Sequence, residues 1–336
     1  MITAMMQRYF PDWNGEVSQG ASGWNNTTYF VANGADRYVL RIYAHHDIEK
    51  IKFEHAVLEE LRHASFSFKV PALVKTITGE SVVPFEENGG RLACLFELIE
   101  GLRPNDGDSR SAYSFGESAS ELSTSLAMLD PGVPPVYRPY YELQHSYPEC
   151  SRGVIVEFCE NPPEAFVDLQ ESLVALGQAY VDISGKIAGI EKLPQQLVHG
   201  DLNFSNLLVD KNDPQNVIAL LDFEFCTRDV RVMEPAVIIS GLLEHEGKRE
   251  AIQQFCMGYG SKMKFMPDEV AAIPILMTLR KVDVFLHFMS RYFDGTDGPE
   301  VLRHQTQSLA ADLTRLAAEI TWIEEIFQDY LLYKLN

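Results

Sequence analysis

Much of what this 336-residue chain does can be narrowed by what it has little of. Cysteine is scarce: Cys94, Cys150, Cys159, Cys226 and Cys256 are odd in number and never spaced C-x-x-C, which excludes a disulfide framework and a zinc knuckle and predicts reduced, buried thiols. The nine histidines form no H-x-x-x-H or H-E-x-x-H pattern, and the adjacent pair His45-His46 reads as a solvated loop past a strand end. No G-x-S-x-G is present, so serine-nucleophile hydrolysis has no anchor. Positive charge is short as well, 28 Lys and Arg against 48 Asp and Glu for a net charge of −20. A nucleic-acid backbone or an anionic membrane surface calls for a cationic face and is therefore not an expected partner. No apolar run approaches the roughly 18 residues that span a bilayer, and Met1–Phe10 has no basic segment leading into an apolar stretch, so a soluble, cytoplasmic protein is expected.

What is present is globular: 46% hydrophobic and 23% charged residues, without repeats or low-complexity tracts. The first hundred residues carry strand chemistry. Thr27–Ala32 and Arg37–Tyr43 flank the turn Asn33-Gly34-Ala35-Asp36 as a hairpin, and Asp47 caps a helix running to about His63. Extended runs at Ala72–Ile77, Val82–Phe85 and Arg91–Glu97 complete a tally of five strands and one helix. After a polar stretch from Arg103 to Arg110, helical spacing dominates over 113–129, 163–190, 235–260, 267–292 and 300–333. One non-helical island, 196–225, interrupts it, with short apolar strands at Leu207–Val209 and Val217–Leu221.

That island holds the oxygen-rich set His199-Gly200-Asp201, Asn206 and Asp222-Phe223-Glu224, two Asp and an Asn suited to a hard cation such as Mg²⁺. The order H-G-D-x-x-x-x-N, apolar strand, D-F-E resembles the aminoglycoside phosphotransferase and choline kinase superfamily, protein-kinase-like small-molecule kinases. The segments Phe223–Arg231 and Met233–Ala236 are similar to its homoserine kinase-like branch. The resemblance implies an α+β, protein-kinase-like bilobal fold, with a small β-rich nucleotide lobe over 1–98 and a larger, mainly α catalytic and acceptor lobe over 99–336. It implies ATP and Mg²⁺ as cofactors and transfer of the γ-phosphoryl group to a hydroxyl of a small molecule.

Carried over by position, Asp201 is the catalytic base, Asn206 and Asp222 hold Mg²⁺, and His199 and Gly200 are architectural. The loop Gly20-Ala21-Ser22-Gly23-Trp24-Asn25 covers the phosphates, with Gly20, Ser22, Gly23 and Asn25 as contacts, although it lacks G-x-G-x-x-G. Arg41 stands where protein kinases carry a strand Lys, and Glu54 is the favoured helix partner over Glu49, Glu59 and Glu60. Glu97, Leu98 and Ile99 form the hinge that reads adenine through its backbone. The chain's acidity suits an amine-bearing acceptor such as homoserine, an amino alcohol or an aminoglycoside, with Glu224, Asp229 and Glu234 either contacting its ammonium or serving as core carboxylates. Tyr137, Tyr140, Tyr141, Tyr147, Phe158 and Phe166 either pack the core or shape acceptor specificity. The rival reading is a catalytically silent relative that binds nucleotide as a sensor or assembly protein.

Overall fold

Alternation along the strands decides what each face of the N-terminal sheet touches. The computed structural model describes residues 2–20, 26–85, 90–104, 108–243 and 245–334. Strands β1 (Val17–Gln19), β2 (Asn26–Asn33), β3 (Asp36–Tyr43), β4 (Leu73–Val74), β5 (Val83–Phe85) and β6 (Arg91–Glu97) form one antiparallel sheet in the order β1-β2-β3-β6-β4, with β5 also on β6. Leu40 and Ile42 of β3, with Ala93 and Leu95 of β6, face an outer core made with Met5, Met6, Tyr9 and Trp13. Tyr43, Cys94 and Phe96 point to the other face, and the period of two puts Arg41 there too. That face receives α2 (Ile48–Leu61), whose N-cap Asp47 accepts from Glu49 N and Lys50 N. The helix buries Ile51, Phe53, Val57, Leu58 and Leu61, each contributing about 1.5–3 kcal/mol, and Glu54 goes inward with them.

The hairpin, its turn and α2 lie where the sequence places them. The outer-face helix α1 (Ile2–Met6) and strand β1 were not expected; both are too short for a periodicity to register.

Past the sheet, α3 (Ala112–Met128), α4 (Leu143–Ser146), α5 (Arg152–Glu160), α6 (Gln170–Ser184) and α7 (Ile187–Ile190) precede the island. Helices α8 (Met233–Leu242), α9 (Lys248–Lys262), α10 (Pro267–Phe293) and α11 (Pro299–Tyr330) follow it. Two expected long helices are broken. The 163–190 run is a 3-10 helix at Glu164–Leu169 followed by α6 and α7, and the 235–260 run turns at Gly247, where φ is 76°. Helices α3 and α9 cross at glycines: a Cβ on Gly258 would lie 2.0 Å from Tyr113 O, and one on Gly116 would lie 2.2 Å from Phe255 O. Backbone there meets backbone.

The island supplies two ribbons, β7 (Gln195–Val198) with β10 (Thr227–Val230) and β8 (Leu207–Val209) with β9 (Val217–Leu220), both antiparallel. His199, Gly200 and Asp201 follow β7 and Asp222 follows β9, so both acidic positions emerge from strand ends. The fold is α+β as expected. Among the described residues no helix is long and apolar enough to cross a membrane.

Candidate active site

The loop after β7 is held by its own side chains. His199 is fully buried, and burial depresses its pKa to about 4, so the ring is neutral. Its Nδ1 then accepts from Asp201 N at 3.3 Å while Nε2–H donates to Leu221 O at 3.0 Å, which joins the loop to the end of β9. Gly200 has φ 82°, and a Cβ there would sit 2.7 Å from Phe225 O, so only glycine suits both the turn and the close approach. Asn206 Nδ2 donates to Asp201 O at 2.9 Å and to Asp201 Oδ2 at 3.3 Å, and Leu221 N donates to Asn206 O at 2.8 Å. Asp201, Asn206 and the residue before Asp222 are thus tied into one unit.

Asp222 is the sole non-glycine residue with positive φ, 69°, among those described. Such a conformation costs about 1–3 kcal/mol and concentrates at functional sites. Its Oδ1 is buried and receives no aligned hydrogen bond, with Arg41 Nη2 3.3 Å away. Arg41 Nη1 also donates to Glu54 Oε1 at 2.8 Å, and Tyr43 Oη donates to Glu54 Oε2 at 3.1 Å. Burial pushes the Glu54 carboxyl up to about 7, while the Arg41 guanidinium pulls it down. The structure therefore joins the expected pair Arg41–Glu54 and extends it to Asp222.

Oxygen donors of Asn206 and Asp222 fit a hard cation, and the orphaned Asp222 Oδ1 leaves a lone pair for one. Among the described residues no group of three or more His, Cys, Asp or Glu could hold a metal alone. Mg²⁺ itself takes few protein ligands and completes its shell with water and phosphate oxygens.

Ser22, Gly23 and Asn25 lie outside the described residues. Gly20 N donates to Thr28 O at 2.9 Å beside the hairpin, and Asn26 Nδ2 donates to Glu224 Oε2 at 2.6 Å, tying the hairpin to the segment after Asp222. At the expected hinge, Glu97 N donates to Ala72 O and Leu98 N to Arg37 O, so these two amides are engaged within the protein, and Glu97 turns its side chain to solvent.

A cavity of about 730 Å³ opens beside Asp201, walled by Tyr140, Tyr147, Arg280 and Asp283 among others. Arg280, on α10, donates from Nη2 to Asp201 Oδ1 at 2.7 Å and from Nη1 to Tyr140 Oη at 2.9 Å, and Tyr140 Oη donates to Gly200 O at 2.6 Å. Tyr147 Oη donates to Asp283 Oδ1 at 2.9 Å. Burial pushes Asp201 up to about 6, against the pull of Arg280.

Arg280 and Asp283 were missed by the sequence reading: α10 was legible as a helix, but nothing in its spacing tells which neighbour a polar position meets. Of the two roles left open for them, Asp229 and Glu234 take that of core carboxylates. Asp229 is fully buried and accepts from Tyr140 N and Val230 N at 2.6 Å each, and Glu234 accepts from His199 N at 2.5 Å. The aromatic stretch divides, with Phe158 and Phe166 in the core and Tyr137, Tyr140 and Tyr147 on the cavity wall.

An antiparallel sheet over a helical body, with paired carboxylates at strand ends between them, defines the class as a protein-kinase-like phosphotransferase of small molecules. Residues 16–273 match the model of the phosphotransferase enzyme family, and the chain belongs to that family. A homoserine kinase from Methylobacillus glycogenes is 23% identical over 270 residues, covering 79% of this chain and 77% of that protein. The fold matches a microcompartment-associated aminopropanol kinase with a TM-score of 0.67 at 20% identity, over 98% of this chain and 97% of that one. An amicoumacin kinase solved with AMP-PNP and Ca²⁺ matches with a TM-score of 0.63 at 16% identity, over 97% and 92%.

Proposed function

We propose that this kinase moves the γ-phosphoryl group of ATP, with Mg²⁺, to a hydroxyl of an amine-bearing small molecule, in the manner of homoserine, amino alcohol or aminoglycoside kinases. The observation that carries the reading is the bonded unit of Asp201, Asn206 and the end of β9, placed where the acceptor-sized cavity begins. Residues 1–98 serve as the nucleotide lobe and 99–336 as the acceptor lobe.

Asp201 receives the acceptor hydroxyl and takes its proton as the new oxygen–phosphorus bond forms and the bond to the β-phosphate oxygen breaks. Asn206 and Asp222 hold Mg²⁺, which neutralises phosphate charge when bound. Arg41, steadied by Glu54, grips a nucleotide phosphate, and Gly20, Ser22, Gly23 and Asn25 are assigned as further phosphate contacts. At the hinge, with the amides of Glu97 and Leu98 already engaged, Glu97 O and Ile99 read the base. Asp283, held by Tyr147 on the cavity wall, supplies a carboxylate for an acceptor amine.

The test is ADP formation with Mg·ATP over a panel of amino alcohols, hydroxy amino acids, aminoglycosides and sugars. One acceptor should stimulate wild-type turnover at least tenfold, which corresponds to about 1.4 kcal/mol of barrier. ATP binding without transfer to any acceptor or to water would instead support the silent-relative reading.

A further inference from the structure

The cavity does not share the strong negative charge of the chain. The whole protein carries −20, yet the cavity walls hold four cations, Lys50, Arg138, Arg280 and Arg291, balanced by four carboxylates, Asp201 and Asp283 on the walls with Glu142 and Asp297 behind them. Three of the cations are committed. Arg138 pairs with Glu142 at 2.8 Å, Arg291 with Asp297 at 2.6 Å, and Arg280 with Asp201 at 2.7 Å, with Asp283 at 3.6 Å beyond it. Lys50 differs: its Nζ stands 4.1 Å over the Tyr137 ring, and no carboxylate pairs with it among the described residues.

Its position in the fold is also unusual. Lys50 lies in the first turn of α2, where the helix dipole disfavours a cation, so helix stability does not explain it. Lys50 is half-buried in the cavity lining, and burial lowers its pKa, with Asp47 and Glu224 pulling the other way more weakly.

On the acceptor side the places for charge are therefore few. Asp201 is reserved for the hydroxyl, Asp283 has one oxygen that can take a single ammonium, and Lys50 is the free cation. We infer that the acceptor carries an acidic group, a carboxylate or an equivalent oxyanion, and that Lys50 is the specificity-determining residue that reads it. This rests on the proposed phosphotransfer reading. It favours a hydroxy amino acid over an amino alcohol and disfavours polycationic aminoglycosides, which would meet one available carboxylate and the uncommitted ammonium of Lys50.

The test uses the full-length enzyme and matched pairs: hydroxy amino acids of graded side-chain length, and the amino alcohols and carboxamides that keep the hydroxyl and amine but lack the carboxylate. Binding is measured calorimetrically with AMP-PNP and Mg²⁺ present, and turnover with Mg·ATP. Wild type should prefer the carboxylate member of the best pair at least tenfold in both readouts. Lys50→Gln should reduce that preference at least tenfold, and Lys50→Arg should retain most of it. A preference for the uncharged member, a preference that Lys50→Gln leaves intact, or no binding by any carboxylate member would overturn the inference. Carboxylate-dependent binding through Lys50 without phosphoryl transfer would uphold it and overturn the phosphotransfer reading instead.

Discussion

Arg280 does at residue scale what no sequence motif announces. Its guanidinium holds Asp201 directly and reaches Gly200 through Tyr140, so the acidic residue is aimed from outside its own loop. Arg280→Met should lower kcat at least tenfold while the KM for ATP moves by less than threefold, with Arg280→Lys intermediate because it lacks the second donor; steady-state kinetics of both variants checks this. Glu234 allows a pH argument. Burial raises its carboxyl to about 7, so its contribution to stability is fully present below about 4.5 and is lost as pH rises through about 7. A shift of that size corresponds to about 3 kcal/mol. The stability of wild type relative to Glu234→Gln should accordingly fall between pH 4.5 and pH 8, as read by urea denaturation at several pH values, and a pH-independent difference would refute it. Glu54 was legible because its partner Arg41 lies 13 residues away, across one strand end and one capped helix. Arg280 was not, because it meets Asp201 across 79 residues and several turns whose geometry is set by packing.

Local patterns served well for elements whose period is expressed over several residues. Alternation in β3 places Arg41 beside Tyr43, and helical spacing in α2 turns Glu54 toward the same face, so half of the candidate site follows from two periodicities. The ribbon of β7 with β10 was illegible because four-residue strands 30 residues apart carry no signal of their pairing. The breaks within 163–190 and 235–260 were hidden for a related reason: apolar spacing continues across a turn when both helices face one core. The crossing of α3 with α9 gives this scale its prediction. Adding a methyl at Gly258 sets a Cβ 2.0 Å from a backbone oxygen that cannot rotate away, so Gly258→Ala should destabilise by about 3 kcal/mol or more. Thermal unfolding should show the loss, while Gly153→Ala, where a Cβ meets nothing within 4 Å, should leave the midpoint nearly unchanged.

For the molecule as a whole, the division of labour follows from where strands end. The sheet delivers Arg41 and the hairpin, the island delivers Asp201, Asn206 and Asp222, and the helical body closes the cavity with Arg280 and Asp283. Net charge was a poor guide at this scale: −20 belongs to the chain as a whole and says nothing of the charge balance in the cavity, where four cations stand among four carboxylates. The most direct test of the account is phosphorus NMR of the reaction of Mg·ATP with the best acceptor, run for wild type and Asp201→Asn. Wild type should give ADP and a phosphomonoester in equal amounts, abolished by chelating the metal. The variant should lose transfer by about 10²–10⁴-fold while still binding ATP. Undiminished transfer by Asp201→Asn would contradict the role assigned to the loop after β7.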